Sequence, residues 1–156
     1  MPIYKLAALS FALIAGLGVA TVFAQDVVVD PKIASMTADE KVAARQAAMK
    51  EDGQQLKASG KATGADAVKI ATIVLQNMTN FPALFADGAT NDKSEALPII
   101  WTEYDKFSAI FTKGQDASRA MLVAAQKGDA AGYQASLKAL AGVCKECHDT
   151  YREDTD

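Results

Sequence analysis

The chain of 156 residues contains two cysteines and one histidine, and all three fall within five consecutive positions, Cys144-Lys145-Glu146-Cys147-His148. This spacing matches the C-x-x-C-H pattern of covalent haem attachment. On a helix, positions i, i+3 and i+4 share one face. Both sulfurs can then form thioethers to the two vinyl groups of one macrocycle, and the imidazole that follows reaches its iron as proximal ligand. Other chemistry for these residues meets obstacles. A structural zinc site takes four ligands, and the chain offers no second histidine and no third cysteine. A thioredoxin-like pair expects a strand leading into a helix N-terminus, which the surrounding sequence does not supply. The bland alternative is a haem-free helical bundle with an incidental thiol pair beside a surface histidine. With the histidine committed to iron, no nucleophile is paired with a base, so an electron carrier or a haem-based ligand-binding protein is expected rather than a hydrolytic enzyme.

Helices must position these groups. Half of the residues are apolar but only 7% are aromatic, and the abundance of Ala favours helix over a β-sandwich. Thr37-Ala38-Asp39-Glu40 is a capping-box pattern and predicts a first helix from about Ala38 to Ala58. A second is predicted from about Ala65 to Asn80, ending before Pro82, with Ala86 to Ser94 as one long loop. A third, from about Ile100 to Gln126, has Gly114 and Asp116 as points of kinking or division. Asp129 caps a fourth, from about Ala130 to Glu153. Four such helices with mostly short connections describe an all-α, antiparallel up-down four-helix bundle, whose ligand sites are built from side chains facing inward.

Two helical faces then confront each other. On the last helix, Tyr133, Leu137, Leu140, Ala141, Cys144, His148 and Tyr151 form an inward stripe, and Arg152 falls four residues past His148, near the proximal face of a haem. On the first, Val42, Arg45, Met49, Gly53 and Leu56 follow at helical steps. A glycine inside a helix costs about 1 kcal/mol relative to alanine, and it makes room for a bulky group. A haem plane against this stripe would let Arg45 hold a propionate and let Met49 point at the distal side of the iron. The ordinary readings are a core methionine and a snorkelling arginine. Trp101, Met36, Met78 and Met121 read as core or surface residues.

The N-terminus reads as an address. Lys5 precedes an apolar run from Leu6 to Phe23, and Val22-Phe23-Ala24 suits secretory cleavage after Ala24, leaving residues 25–156 as the mature domain. An uncleaved membrane anchor is the competing reading. Loss of Lys5 with the leader takes the formal net charge from −3 to −4, which suits a basic partner and argues against nucleic acid. Val27 to Val29, beside the cleavage site, read as a disordered lead.

Taken together, the C-terminal Cys144-Lys145-Glu146-Cys147-His148-Asp149-Thr150-Tyr151-Arg152, the Arg45-Gln46-Ala47-Ala48-Met49-Lys50 of the first helix and Ile100-Trp101 resemble the class II c-type cytochromes. These comprise cytochrome c prime and its low-spin, methionine-ligated relatives. The resemblance implies one covalent haem c held by Cys144 and Cys147, with His148 as proximal ligand, Arg45 at a propionate and Met49 in the distal position. It further implies a periplasmic protein, often a homodimer. The run Met49-Lys50-Glu51-Asp52-Gly53 looks more like the ligated branch, which suits one-electron transfer with redox partner proteins of a respiratory or photosynthetic chain. If Met49 leaves the iron five-coordinate, an apolar distal pocket would instead admit nitric oxide or carbon monoxide.

Overall fold

The computed structural model of the protein describes residues 27–154. The expected leader, residues 1–24, lies outside the described residues. Thr37 begins the first helix, α1 (Ala38–Ser59): its hydroxyl accepts from the Glu40 N–H at 3.3 Å while the Glu40 carboxylate accepts from the Thr37 N–H at 2.8 Å. Helices α2 (Gly64–Phe85), α3 (Ile99–Thr102), α4 (Tyr104–Lys127) and α5 (Ala130–Tyr151) follow. Gly128, at φ 68°, closes α4 in the left-handed conformation that favours glycine. The Asp129 carboxylate then caps α5 by accepting from the Gly132 N–H at 2.9 Å.

Four elements depart from the sequence expectation. Helix α2 does not stop before Pro82 but runs through it to Phe85. Proline has no N–H to give the carbonyl of Met78, one turn back, and the side chain of Gln115 on α4 donates to that carbonyl instead, at 3.2 Å. Tyr104 donates its hydroxyl to the carbonyl of Pro82 itself. The third predicted helix divides at Glu103, whose φ and ψ of −124° and 35° are not helical, and not at Gly114 or Asp116. Gly114 serves close packing: a Cβ there would lie 2.8 Å from Sδ of Met78 across the α2–α4 contact. Helix α5 ends at Tyr151, after which Arg152 turns extended and forms an isolated antiparallel bridge with Ala96. Val27 to Val29 are not a disordered lead, because the segment 27–36 lies against α2. Gln76 donates to the Val28 carbonyl at 3.0 Å, the Asp30 N–H donates to Asn80 at 3.0 Å, and Ile33 is buried in a short 3-10 turn, Pro31–Ser35.

The long helices form an all-α four-helix bundle, in which α3 is a single extra turn ahead of α4. Helix α2 packs on α4, α4 on α5, and α1 on α2, whereas α1 and α5 barely meet. The floor between α1 and α5 is an aromatic cluster. Phe107 lies 5.0 Å from Phe111, 4.8 Å from Phe85 and 5.1 Å from Tyr151, centroid to centroid, with ring planes crossed edge to face. Among the described residues no helix is long and apolar enough to cross a membrane.

Because Gln115 replaces a main-chain donor, Gln115→Leu leaves the buried carbonyl of Met78 unmet. Urea unfolding should show a loss of about 1–3 kcal/mol, and an unchanged midpoint would refute this account of how proline is accommodated.

Candidate haem site

Helix α5 carries its buried side chains along a seam of Tyr133, Leu137, Leu140, Cys144, Cys147 and Tyr151, with steps alternating between four and three. Cys147 therefore lies on the seam itself, His148 is half-buried at its edge, and Ala141, expected inside, is exposed. On α1 the corresponding seam is Val42, Arg45, Met49, Asp52, Leu56 and Ser59. Asp52 is buried on it, whereas Gly53, expected to face inward, is exposed although it borders the cleft. The preference for apolar or small residues hid the acid; the same alternating step, continued from Arg45 through Met49, leads to it.

Two adjoining cavities occupy the cleft between these seams. One, of about 460 Å³, is bordered by Arg45, Phe85, Phe107, Tyr151 and Arg152. The other, of about 650 Å³, is bordered by Asp52, Gly53, Leu56, Phe81, Phe111 and Cys144. Met49, Cys147 and His148 border both. The fold thus brings the distal candidate on α1 and the attachment motif on α5 to the walls of one cleft.

Burial controls the ionisation of the groups around it. The Cys147 thiol is pushed up to about 12 by burial, with Cys144 and Glu146 adding to the effect. Cys144 is raised by burial and then by the charge of Asp52. Neither cysteine has the electropositive surroundings that generate a thiolate for redox work. His148 is lowered mainly by burial and further by Arg152, against opposing contributions from Asp149 and Glu95, so its imidazole is held toward the neutral form that can bind a metal. Arg152 is not on the helix as expected. It follows the end of α5, on the cleft rim, with its Nε 3.9 Å from a carboxylate oxygen of Glu95.

Arg45 is only 3% exposed, and its Nη1 donates to the carbonyls of Leu84 at 3.2 Å and Ala89 at 2.7 Å. Its Nη2 donates to Ser94 Oγ at 2.7 Å, and the guanidinium lies 4.2 Å from the centroid of the Phe85 ring. Two of its five N–H groups therefore fasten the 86–98 loop over one end of the cleft, and a third ties it to the last turn of α2. Burial lowers its pKa to about 10, which leaves a cation at neutral pH. No carboxylate is paired with it among the described residues.

The residues present fit a haem. The cleft is lined by aromatic and aliphatic side chains, two thiols and a neutral imidazole border it, and a buried cation without an acid partner stands at one end. Fold and site together define a c-type haem protein built on a four-helix bundle.

Comparison with known proteins gives the family. The model for Cytochrome C' matches residues 40–152, and the chain belongs to that family, whose members bind haem c covalently with its iron. The chain is 36% identical over 116 residues to a cytochrome c' of Pararhodospirillum photometricum, an alignment covering 70% of this chain and 93% of that protein. A cytochrome c-556 of Agrobacterium tumefaciens is 40% identical over 90 residues, 56% of this chain and 71% of that one. The nitric oxide complex of a mutant cytochrome c prime from Alcaligenes xylosoxidans superposes with a TM-score of 0.65 at 25% identity, covering 76% of this chain and 98% of that chain.

Asp52 gives the site a pH signature. Its carboxyl is raised to about 7, chiefly by burial, with the Asn77 hydrogen bond opposing and Glu51 adding to the rise. A raised carboxyl pKa means that the folded state binds the proton more tightly than the unfolded state. Its stabilising contribution is complete below the ordinary value of 3.8 and is lost as the pH rises through about 7. Relative to the native chain, Asp52→Asn should therefore gain roughly 2–4 kcal/mol of stability between acidic and mildly alkaline pH in urea titrations. A stability difference between the two proteins that does not change with pH would contradict this.

Proposed function

We propose that the protein is a periplasmic one-electron carrier with a single haem c, in which His148 is the proximal and Met49 the distal ligand. The observation that carries this reading is the position of Met49, on the opposite wall of the cleft from the motif and bordering, with Cys147 and His148, both of its cavities. In it, Cys144 and Cys147 hold the macrocycle through thioethers, and His148 offers iron a neutral imidazole.

The bound group supplies an iron centre that exchanges one electron. The chain supplies the rest. Ligands from two separate helices of the bundle would keep the same coordination in both oxidation states, so little would reorganise when an electron arrives or leaves. A thioether as second ligand would favour the reduced state and raise the potential. Phe81, Phe107 and Phe111 exclude water from the floor of the cleft. Arg45 keeps two N–H groups beyond the three it spends on Leu84, Ala89 and Ser94, and these suit a propionate at its end of the cleft. Arg152, on the rim and acting electrostatically on His148, belongs to the proximal surroundings. Residues 1–24 serve as a cleaved export signal, and the donor and acceptor are redox proteins of a respiratory or photosynthetic chain.

A second reading has its own support. The 650 Å³ cavity beside Met49 is bordered mainly by apolar side chains, including Leu56, Met78, Phe81, Ile110 and Phe111, and a solved relative holds nitric oxide. With Met49 off the iron, such a pocket would admit nitric oxide or carbon monoxide.

Visible spectra of the protein expressed with haem-attachment machinery separate the two. Methionine ligation predicts a low-spin spectrum indifferent to carbon monoxide, turning high-spin and carbon-monoxide-sensitive in Met49→Ala. A high-spin spectrum of the native protein that shifts with carbon monoxide would overturn the electron-carrier reading in favour of gas binding. Intact mass should place the mature N-terminus at Gln25.

A further inference from the structure

Asp52 borders the 650 Å³ cavity of the haem cleft. On the outer side of the α1–α2 contact is an open surface pocket, bordered by Asp30, Glu51, Asn77 and Asn80 among others but not by Asp52. One amide bridges them: Asn77 Nδ2 donates to Asp52 Oδ1 at 2.8 Å and to Glu51 Oε2 at 3.1 Å. Glu51 is exposed, Asn77 is 9% exposed and Asp52 is 5% exposed. A surface acid is thus joined by one side chain to an acid at the wall of the cleft. Asp52 Oδ2 is buried and has no hydrogen-bond partner.

A buried carboxylate with one oxygen unmet is costly, and the cost falls if it takes a proton or if positive charge stands nearby. A haem site changes its charge by one unit with each electron. At a separation of about 10 Å and an effective dielectric of about 20, one unit of charge would alter the proton affinity of a carboxylate by more than tenfold. The other groups facing Asp52 do not compensate. Helix α1 contributes the anionic Glu51, α2 the uncharged Asn77, and α4 presents Ile110 and Phe111. From α5 come Cys144 and Cys147, which lose their protons to thioether formation, and His148, which the iron occupies.

We propose that Asp52 is a redox-linked proton acceptor, held at Oδ1 by Asn77, so that the protein carries a proton together with its electron. The proposal rests on the haem reading above but not on whether Met49 ligates. In the oxidised protein Asp52 is a carboxylate. When a one-electron donor protein reduces the ferric centre to ferrous, one proton from solvent bonds to Oδ2 and makes the neutral acid. Oxidation by the acceptor releases both, and the net charge of the cleft stays constant.

The test is spectroelectrochemical titration of the holoprotein across a pH series. The midpoint potential should fall as the pH is raised through the neutral range. Asp52→Asn should have a higher and level potential there, while Glu51→Gln keeps the slope, because Asp52 and not Glu51 takes the proton. Reduced-minus-oxidised infrared spectra should show a protonated carboxyl band gained on reduction, absent from Asp52→Asn. A level potential in the native protein, or a slope that survives in Asp52→Asn, overturns the proposal while the visible spectrum still reports an attached haem. A colourless protein overturns the haem reading and this proposal with it.

Discussion

Helix α1 has almost nothing apolar of its own with which to close the bundle. Val42 is the one hydrophobic side chain among its fully buried residues; the others are Lys41, Arg45, Asp52 and Ser59. A helix that buries polar groups gains little from the area it removes from water and must meet its hydrogen bonds instead. The structure does this along one flank, where Asn77 meets Asp52, Gln46 donates to the Lys93 carbonyl and Arg45 gathers three acceptors from the segment 84–94. Toward α5 there is no comparable contact, and the cleft follows from that. Its apolar floor belongs to α2, α4 and α5, and a large flat group resting on it would supply α1 with the hydrophobic contact that its own sequence lacks. Cofactor and fold are then thermodynamically linked, since whatever binds the folded chain alone stabilises it.

The same desolvation that shapes the cleft sets its electrostatics. Thiols and a carboxyl are pushed up, an imidazole and a guanidinium down, and in each case burial is the largest cause. Surface ion pairs nearby, Lys113 with Glu146 at 2.7 Å and Lys145 with Asp149 at 2.7 Å, are exposed and screened, so they add little stability. Inside, charge is scarce and poorly screened, and a single added or removed charge is felt by every group on the walls.

Much of this is legible in the sequence because it depends on local rules. The capping box of Thr37 and Glu40, the Asp129 cap and the Cys144–His148 motif are short-range patterns, and the structure bears out the caps and the bundle, as the family does the haem. The departures have physical causes beyond the local sequence. Pro82 reads as a terminator, but a side chain from another helix replaces its missing donor. Gly114 reads as a weak point, whereas Met78 packs into the space it leaves. The inward faces of α1 and α5 each differ by one position from the expected stripe, at Gly53 and Ala141, because small residues look like the inward choice where the helix seam continues to Asp52 and Cys147. A buried acid is invisible to hydrophobic patterning, and only the packing of α1 on α2 brings Asn77 to it.

The pairing of Pro82 with Gln115 also bears on how relatives of this chain are free to diverge. A descendant that replaces the proline regains a main-chain donor for the Met78 carbonyl, and position 115 is then released to become apolar or charged. One that loses the glutamine first exposes the carbonyl without compensation. The order of the two changes is therefore constrained, with substitution at 82 opening the way for substitution at 115, and these two positions on separate helices should drift as a pair although neither borders the cleft.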